Sequence, residues 1–310
     1  MKQHDHLFRE MVADPAAREH MVRLCLPDLA DQLDLNTLTM VDATFTNGKQ
    51  ADLLVSMRYH RDPNRIAHVL VEHKSYHDRS VMLQLLGYTV ELWNKLGQAV
   101  PAEDQGLRPE IHLVVFYHGK TRWTAPRELG GLYATTAPGG ENPDSGHQHT
   151  ISVPYRLVDL NTIEPALVAA PDPRVRAFLT TFQYVFRTLS PAMAETVLDA
   201  VMAPGLEPGV TRRLMDYLFH NTGKDNVDTI LTELEKRRYT VEGGAIMTMA
   251  QELIRRGTEK GIEKGIKKGI AQVARKMLET GLSLNTIEET TGLTKEQIAA
   301  LKNGNGQNEQ

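Results

Sequence analysis

A single cysteine, Cys25, in 310 residues leaves no partner for an internal disulfide and too few thiolates for a multi-cysteine zinc site. Its neighbours Val22, Leu24 and Leu26 mark it as a buried thiol, which turns attention away from redox chemistry and thiol proteolysis. No apolar run approaches the roughly 18–20 residues that a membrane-spanning helix needs. The polar, charged opening Met1 to Glu10 is unlike a secretory signal, so the expected compartment is the cytoplasm and no membrane partner is expected. A protein-wide positive field is also lacking: 35 basic against 39 acidic residues give a net charge of −4, and any nucleic acid must be gathered by local patches. There is no Gly-x-x-x-x-Gly-Lys-Ser/Thr loop, no Gly-x-Gly-x-x-Gly turn and no Gly-x-Ser-x-Gly elbow, which removes nucleotide-driven chemistry and serine hydrolysis. Three histidine pairs (His4/His6, His73/His77, His147/His149) lack cysteine companions or a shared helical face, and no zinc site is expected from them.

What is present is enough apolar material, 41% of residues, for a sizeable core and more than one part. His4 to Leu33 has helical spacing interrupted at Asp14-Pro15, a helix start with Asp as cap and Pro in the first turn. Leu38 to Phe45 is rich in strand formers and ends at Asn47-Gly48, which predicts a hairpin with Gln50 to Tyr59. Ile66 to Lys74 reads as a third strand, and the stretch from Asp78 returns to helical spacing through Val81, Leu85, Tyr88, Leu92 and Leu96, with Gly97 placed to stop it. Ile111 to Tyr117 is a nearly continuous apolar run, as in a strand buried on both faces. The order is αβββαβ, an α/β class. Trp123 to Thr150 reads as a long loop and Ile163 to about Arg238 as a helical second part. In the tail, Gly257, Gly261, Gly265 and Gly269 recur every four residues, either as a smooth helix stripe for an oligomer contact or as a charged, partly helical linker. Beyond it, cap positions at Ser283 and Thr294 and the Thr294 to Gln297 capping-box spacing outline two short helices around Thr291-Gly292. These form either a DNA-binding helix-turn-helix or a small assembly hairpin, and Asn303 to Gln310 is expected to be disordered. The expected division is residues 1–150, 151–245 and 246–310.

Chemistry concentrates at Asp52, in Ala51-Asp-Leu-Leu-Val55, and at Val71-Glu-His-Lys-Ser75. Side chains alternate along a strand, so Glu72 and Lys74 share one side and His73 takes the other. With Asp52 on the neighbouring strand, two carboxylates can hold a hard cation such as Mg²⁺ through oxygen, with the His73 backbone carbonyl as a further ligand. Lys74 would orient the attacking water or offset developing charge, Gln84 could face the same site, and Glu10 is a more distant candidate acid. These are the components of phosphodiester hydrolysis. Ser75 and His77 are read as phosphate contacts.

The run from Asp52-Leu-Leu through Val69-Leu-Val-Glu-His-Lys-Ser75, with Asp78 and the Met82 to Tyr88 helix, resembles the PD-(D/E)XK nuclease superfamily. More narrowly, with the opening His4 to Glu10, the helical middle and the glycine-repeat tail, the chain is similar to the recombination-promoting nuclease/transposase (YhgA-like) family over most of its length. That resemblance implies a restriction-endonuclease-like core and a Mg²⁺-dependent DNA endonuclease, with Mn²⁺ or Ca²⁺ as alternative metals, linked to recombination or mobile elements. In it Asp52, Glu72 and Lys74 match the superfamily's Asp and Glu-x-Lys positions, and Lys74 stands where similar proteins often carry glutamine. No Asp/Asp/Glu transposase pattern accompanies them. A non-catalytic DNA-binding or oligomeric interaction protein on the same scaffold is the second reading.

Overall fold

The computed structural model describes residues 3–45, 48–96, 108–127, 132, 153–165, 170–237, 248, 251, 252, 255 and 265–303. Two compact units divide the chain, Met1–Ile246 and Met247–Gln310. The first opens with helices α1 (Gln3–Val12) and α2 (Pro15–Cys25). Asp14 caps α2 by accepting the Ala16 N–H at 2.9 Å, with Pro15 in the first turn as expected. The helix stops at Cys25 rather than running on to Leu33, because Pro27 disfavours helical backbone at Leu26, which sits at φ −129°.

A mixed five-stranded sheet follows, in the order β1-β2-β3-β4-β5. Its strands are β1 (Leu33–Met40), β2 (Leu53–Tyr59), β3 (Ile66–Lys74), β4 (Glu110–Tyr117) and β5 (Arg156–Asp159). β1 to β3 pair antiparallel, and β3, β4 and β5 run parallel. The first strand begins five residues earlier than the sequence pattern predicts. It is a partly exposed edge strand whose register slips between Asp34 and Thr39, so it shows no clean apolar alternation. The predicted turn survives beyond it: Thr44 bridges Gln50, and Gly48 adopts φ 73°. The β5 strand, short and polar at its start, was not anticipated. Gly97, most of the 123–150 segment, His147, His149, Gly257, Gly261 and the last seven residues lie outside the described residues.

Helix α3 (Val81–Leu96) covers one face of the sheet, packing Val81, Met82, Leu85, Tyr88 and Leu92 with Leu54, Leu70, Leu113, Val115 and Tyr117. The other face meets α1 and a helical layer made of α4 (Pro173–Tyr184), α5 (Pro191–Val201), α6 (Pro208–Asn221) and α7 (Lys224–Lys236). Phe8 stacks on His73 at 4.5 Å, and Phe182 of α4 packs edge-on to Phe116 of β4. Each such buried large side chain contributes roughly 1.5–3 kcal/mol. Arg213 of α6 binds both carboxylate oxygens of Glu10, which ties α1 to the helical layer.

Residues 265–303 of the second unit form three helices: 265–279, taken as α8, α9 (Leu284–Thr291) and α10 (Lys295–Asn303). Ala274, Ile287 and Ile298 form their core. Ser283 caps α9, Gly292 ends it at φ 70°, and Thr294 and Gln297 exchange the reciprocal bonds of a capping box at 2.9 and 3.3 Å. Among the described residues, no helix is long and apolar enough to cross a membrane.

Candidate active site

The β2/β3 register sets the site. Leu53 pairs with Val71, so Asp52, one residue before β2, faces the end of β3 that carries Glu72, His73 and Lys74. Asp52 Oδ2 accepts the His73 backbone N–H at 3.0 Å, and Oδ1 lies 3.4 Å from Arg9 of α1. Strand alternation then sorts the triplet as the sequence implied. Glu72 and Lys74 come together at 3.2 Å, whereas the His73 ring points to the opposite face, between Phe8 and His118.

Gln84, in the first turn of α3, joins them. Its amide donates to Glu72 Oε1 at 2.6 Å and to the Tyr88 hydroxyl at 2.8 Å, while its carbonyl accepts from Lys74 Nζ at 3.0 Å. Asp78 holds Lys74 from the other side at 3.0 Å and is itself fixed by the Ser80 backbone N–H and hydroxyl. All four residues proposed from the sequence, Asp52, Glu72, Lys74 and Gln84, therefore meet. Arg9, Asp78 and Tyr88 are partners that sequence reasoning did not assign. Glu10, the more distant candidate acid, is instead engaged by Arg213. Its neighbour Arg9, about 100° away around the helix, is the residue that reaches Asp52.

The electrostatics are those of crowded buried carboxylates. Glu72 is 5% exposed; burial and then the nearby Asp52 charge push its pKa up to about 7, against the opposing pull of Lys74 and Gln84. Burial works to lower the Lys74 pKa, but Glu72 and Asp78 outweigh it and hold the ammonium above its ordinary range. For Asp78 burial pulls upward, and Ser80 and Lys74 prevail to keep the carboxyl low. Glu72 Oε2 is buried without a hydrogen-bond partner. Among the described residues no three His, Cys, Asp or Glu side chains converge as a ready metal cluster. What converges is a pair of carboxylates, one of them with an unsatisfied oxygen and a pKa raised first by burial and then by the other's charge, a donor set suited to a hard, oxygen-seeking cation. The pair opens into a cavity of about 500 Å³ walled also by Asp5, Arg9, Ser75 and Tyr76.

Behind the site runs a buried polar chain. His73 Nε2 meets His118 Nδ1 at 3.0 Å, His118 Nε2 meets the Tyr217 hydroxyl at 2.9 Å, and that hydroxyl meets His4 Nδ1 at 2.7 Å. Burial holds His118 well below the ordinary histidine range, so it is neutral at physiological pH.

Residues 2–203, which carry the sheet, the site and the first two helices of the layer, match the family described as "Putative transposase, YhgA-like". Residues 267–303, the three-helix module, match the C-terminal helix-turn-helix domain of the Rpn/YhgA-like nuclease family. No solved structure matches. With both ends of the same family's architecture in one chain, the protein belongs to the Rpn/YhgA-like family, whose description points to nuclease or transposase-like function and gives the tail as a helix-turn-helix domain.

Proposed function

We propose that the protein is a metal-dependent DNA endonuclease on a PD-(D/E)XK, restriction-endonuclease-like core, acting in recombination or on mobile elements. The observation that carries this reading is the meeting of Asp52, Glu72 and Lys74 at one cavity, with Gln84 hydrogen-bonded to Glu72 and Lys74 and with Glu72 driven toward the neutral form by burial and by Asp52. Asp52, Glu72 and the His73 backbone carbonyl would hold Mg²⁺, or Mn²⁺ or Ca²⁺ in its place. Such a cation, when bound, supplies the positive charge that polarises a phosphate and lowers the pKa of an attacking water. Lys74 stays protonated between Glu72 and Asp78, and its ammonium is placed to offset charge on the phosphoryl oxygens. Gln84 fixes Glu72 and Lys74 relative to one another, and Arg9 fixes Asp52. The His73 N–H does the same from the strand.

The test is cleavage of supercoiled plasmid with Mg²⁺ or Mn²⁺ by the native chain, Asp52→Ala and Lys74→Ala purified identically. Loss of nicking in both variants with DNA binding retained is expected. Native protein that never cuts, or variants that cut equally well, would return the chain to the second reading, a DNA-binding protein on a nuclease scaffold. The glycine repeat is our candidate oligomer contact. At Gly265 and Gly269 an added Cβ meets open space among the described residues.

A further inference from the structure

A second cavity, of about 610 Å³, adjoins the first and shares Ser75 and Tyr76 as a wall. The shared wall follows Lys74 directly in the chain, so whatever fills the second cavity lies one step beyond the group bound at the first. Its volume falls within the roughly 300–1,000 Å³ of small-ligand pockets, room for one extruded nucleotide.

Its lining is cationic and aromatic. Tyr76 is 50% exposed, with Lys74 Nζ 6.0 Å from its ring centroid. Across the cavity the exposed Lys120 places its Nζ 5.8 Å from the half-buried Phe186 ring, and among the described residues no carboxylate pairs with it. His220 and Asn221, at the end of α6, add polar groups. The floor is rigid. His77 bonds Thr121 and Thr124 at 2.9 and 3.2 Å and stacks on Trp123. The Tyr117 hydroxyl donates to the Thr121 carbonyl at 2.7 Å. Gly119 lets the Tyr117 ring lie against the backbone where any Cβ would collide.

Resting on the nuclease reading, we propose that this cavity is a subsite for one unpaired nucleotide of the DNA strand, adjacent to the phosphate at Asp52 and Glu72. Its base lies on Tyr76 and its phosphate at Lys120. An aromatic face can be used only by a base that is not stacked in a duplex, and an exposed aromatic facing an unpaired ammonium across one cavity is an arrangement that single strands use without reading sequence. The enzyme would therefore favour substrates with an unpaired segment at the cut, such as a flap, bubble or overhang.

The full chain is compared with Tyr76→Ala, Tyr76→Phe and Lys120→Ala. The probes are a fluorescent pentathymidylate and a blunt duplex of two annealed strands, read by anisotropy in EDTA so that nothing is cut. Tyr76→Ala and Lys120→Ala should bind the pentathymidylate about tenfold or more weakly, Tyr76→Phe should match the native protein, and Lys120→Ala should lower the salt slope by roughly one ion or less. Duplex affinity should fall far less than pentathymidylate affinity, and matched circular dichroism and melting temperatures show that the variants are folded. Equal pentathymidylate affinity in all four proteins, or no binding by the native chain, overturns the subsite. With Mg²⁺, native protein should cut a flapped duplex faster than a blunt one and the two alanine variants should lose that preference. A chain that never cuts but loses oligonucleotide binding with Tyr76→Ala refutes the nuclease and keeps the subsite. A chain that cuts, with Tyr76→Ala binding and cutting like native, does the reverse.

Discussion

Glu72→Gln should make the metal-free protein more stable at pH 8, although the substitution removes an ion-pair partner of Lys74. The native carboxyl has a folded pKa pushed up from 4.5 to about 7, by burial first and Asp52 second. An acid whose pKa is raised on folding binds more protons folded than unfolded between those two values, so stability is lost as pH rises from about 4.5 to 7 and stays lost above. The span corresponds to about 3 kcal/mol. For a unit of this size, with roughly 2–4 °C per kcal/mol, the native protein should melt roughly 6–12 °C below Glu72→Gln at pH 8 and close to it at pH 4.5. Glutamine keeps the shape and can still bond Gln84, while Lys74 keeps Asp78 and Gln84. Thermal melts of both proteins in EDTA across pH 4.5–8 read the difference directly, because every other titrating group, the buried histidines included, is common to the two. A difference that is flat with pH, or that favours the native protein as pH rises, would show Glu72 and Lys74 to be a stabilising ion pair and would refute the crowded-carboxylate reasoning. Millimolar Mg²⁺ at pH 8 should raise the native melting temperature and leave Glu72→Gln nearly unmoved.

Gln84→Ala should lower cleavage by tenfold or more with little change in DNA affinity, since it unfastens Glu72 and Lys74 and leaves the charged groups of the cavity in place; a kcat and KM comparison checks this. Tyr217→Phe deprives His4 and His118 of a shared partner and should cost about 1–3 kcal/mol in urea denaturation. Cys25, fully enclosed with its thiol pushed up to about 12 by burial, should resist thiol reagents until the protein unfolds, and fast labelling of the native chain would contradict its placement. Replacing Gly265 and Gly269 by alanine should stabilise the tail helix by up to about 1 kcal/mol each in a monomer. If the stripe is an oligomer contact, light scattering should instead report a smaller mass for that variant, and a monomeric native chain would dispose of the contact.

The central strands and the site were legible because they follow period-two rules: β3 and β4 are apolar runs, and Glu72, His73 and Lys74 sort by alternation alone. The antiparallel neighbour was found from its turn, which put Asp52 in range of Glu72. What was not legible lies where tertiary context overrides pattern. β1 is an edge strand with a register slip, and β5 is four residues long and gains its identity only from β4. Arg9 could not be preferred to Glu10 without the helix phase. The His73–His118–Tyr217–His4 chain joins residues up to 213 apart in sequence, and no local signal marks it.

That chain has a practical consequence for anyone dividing the protein. A fragment ending near residue 150 would keep every carboxylate of the cavity yet strip Tyr217 from His4 and His118, and Arg213 from Glu10. The buried His118 imidazole and the half-buried His4 would then face water or an empty space, directly behind the strand whose N–H steadies Asp52. The shortest piece that can be expected to carry the whole cavity intact runs from the first helix to Asn221, so the helices beyond the sheet are a foundation of the site and not an accessory to it.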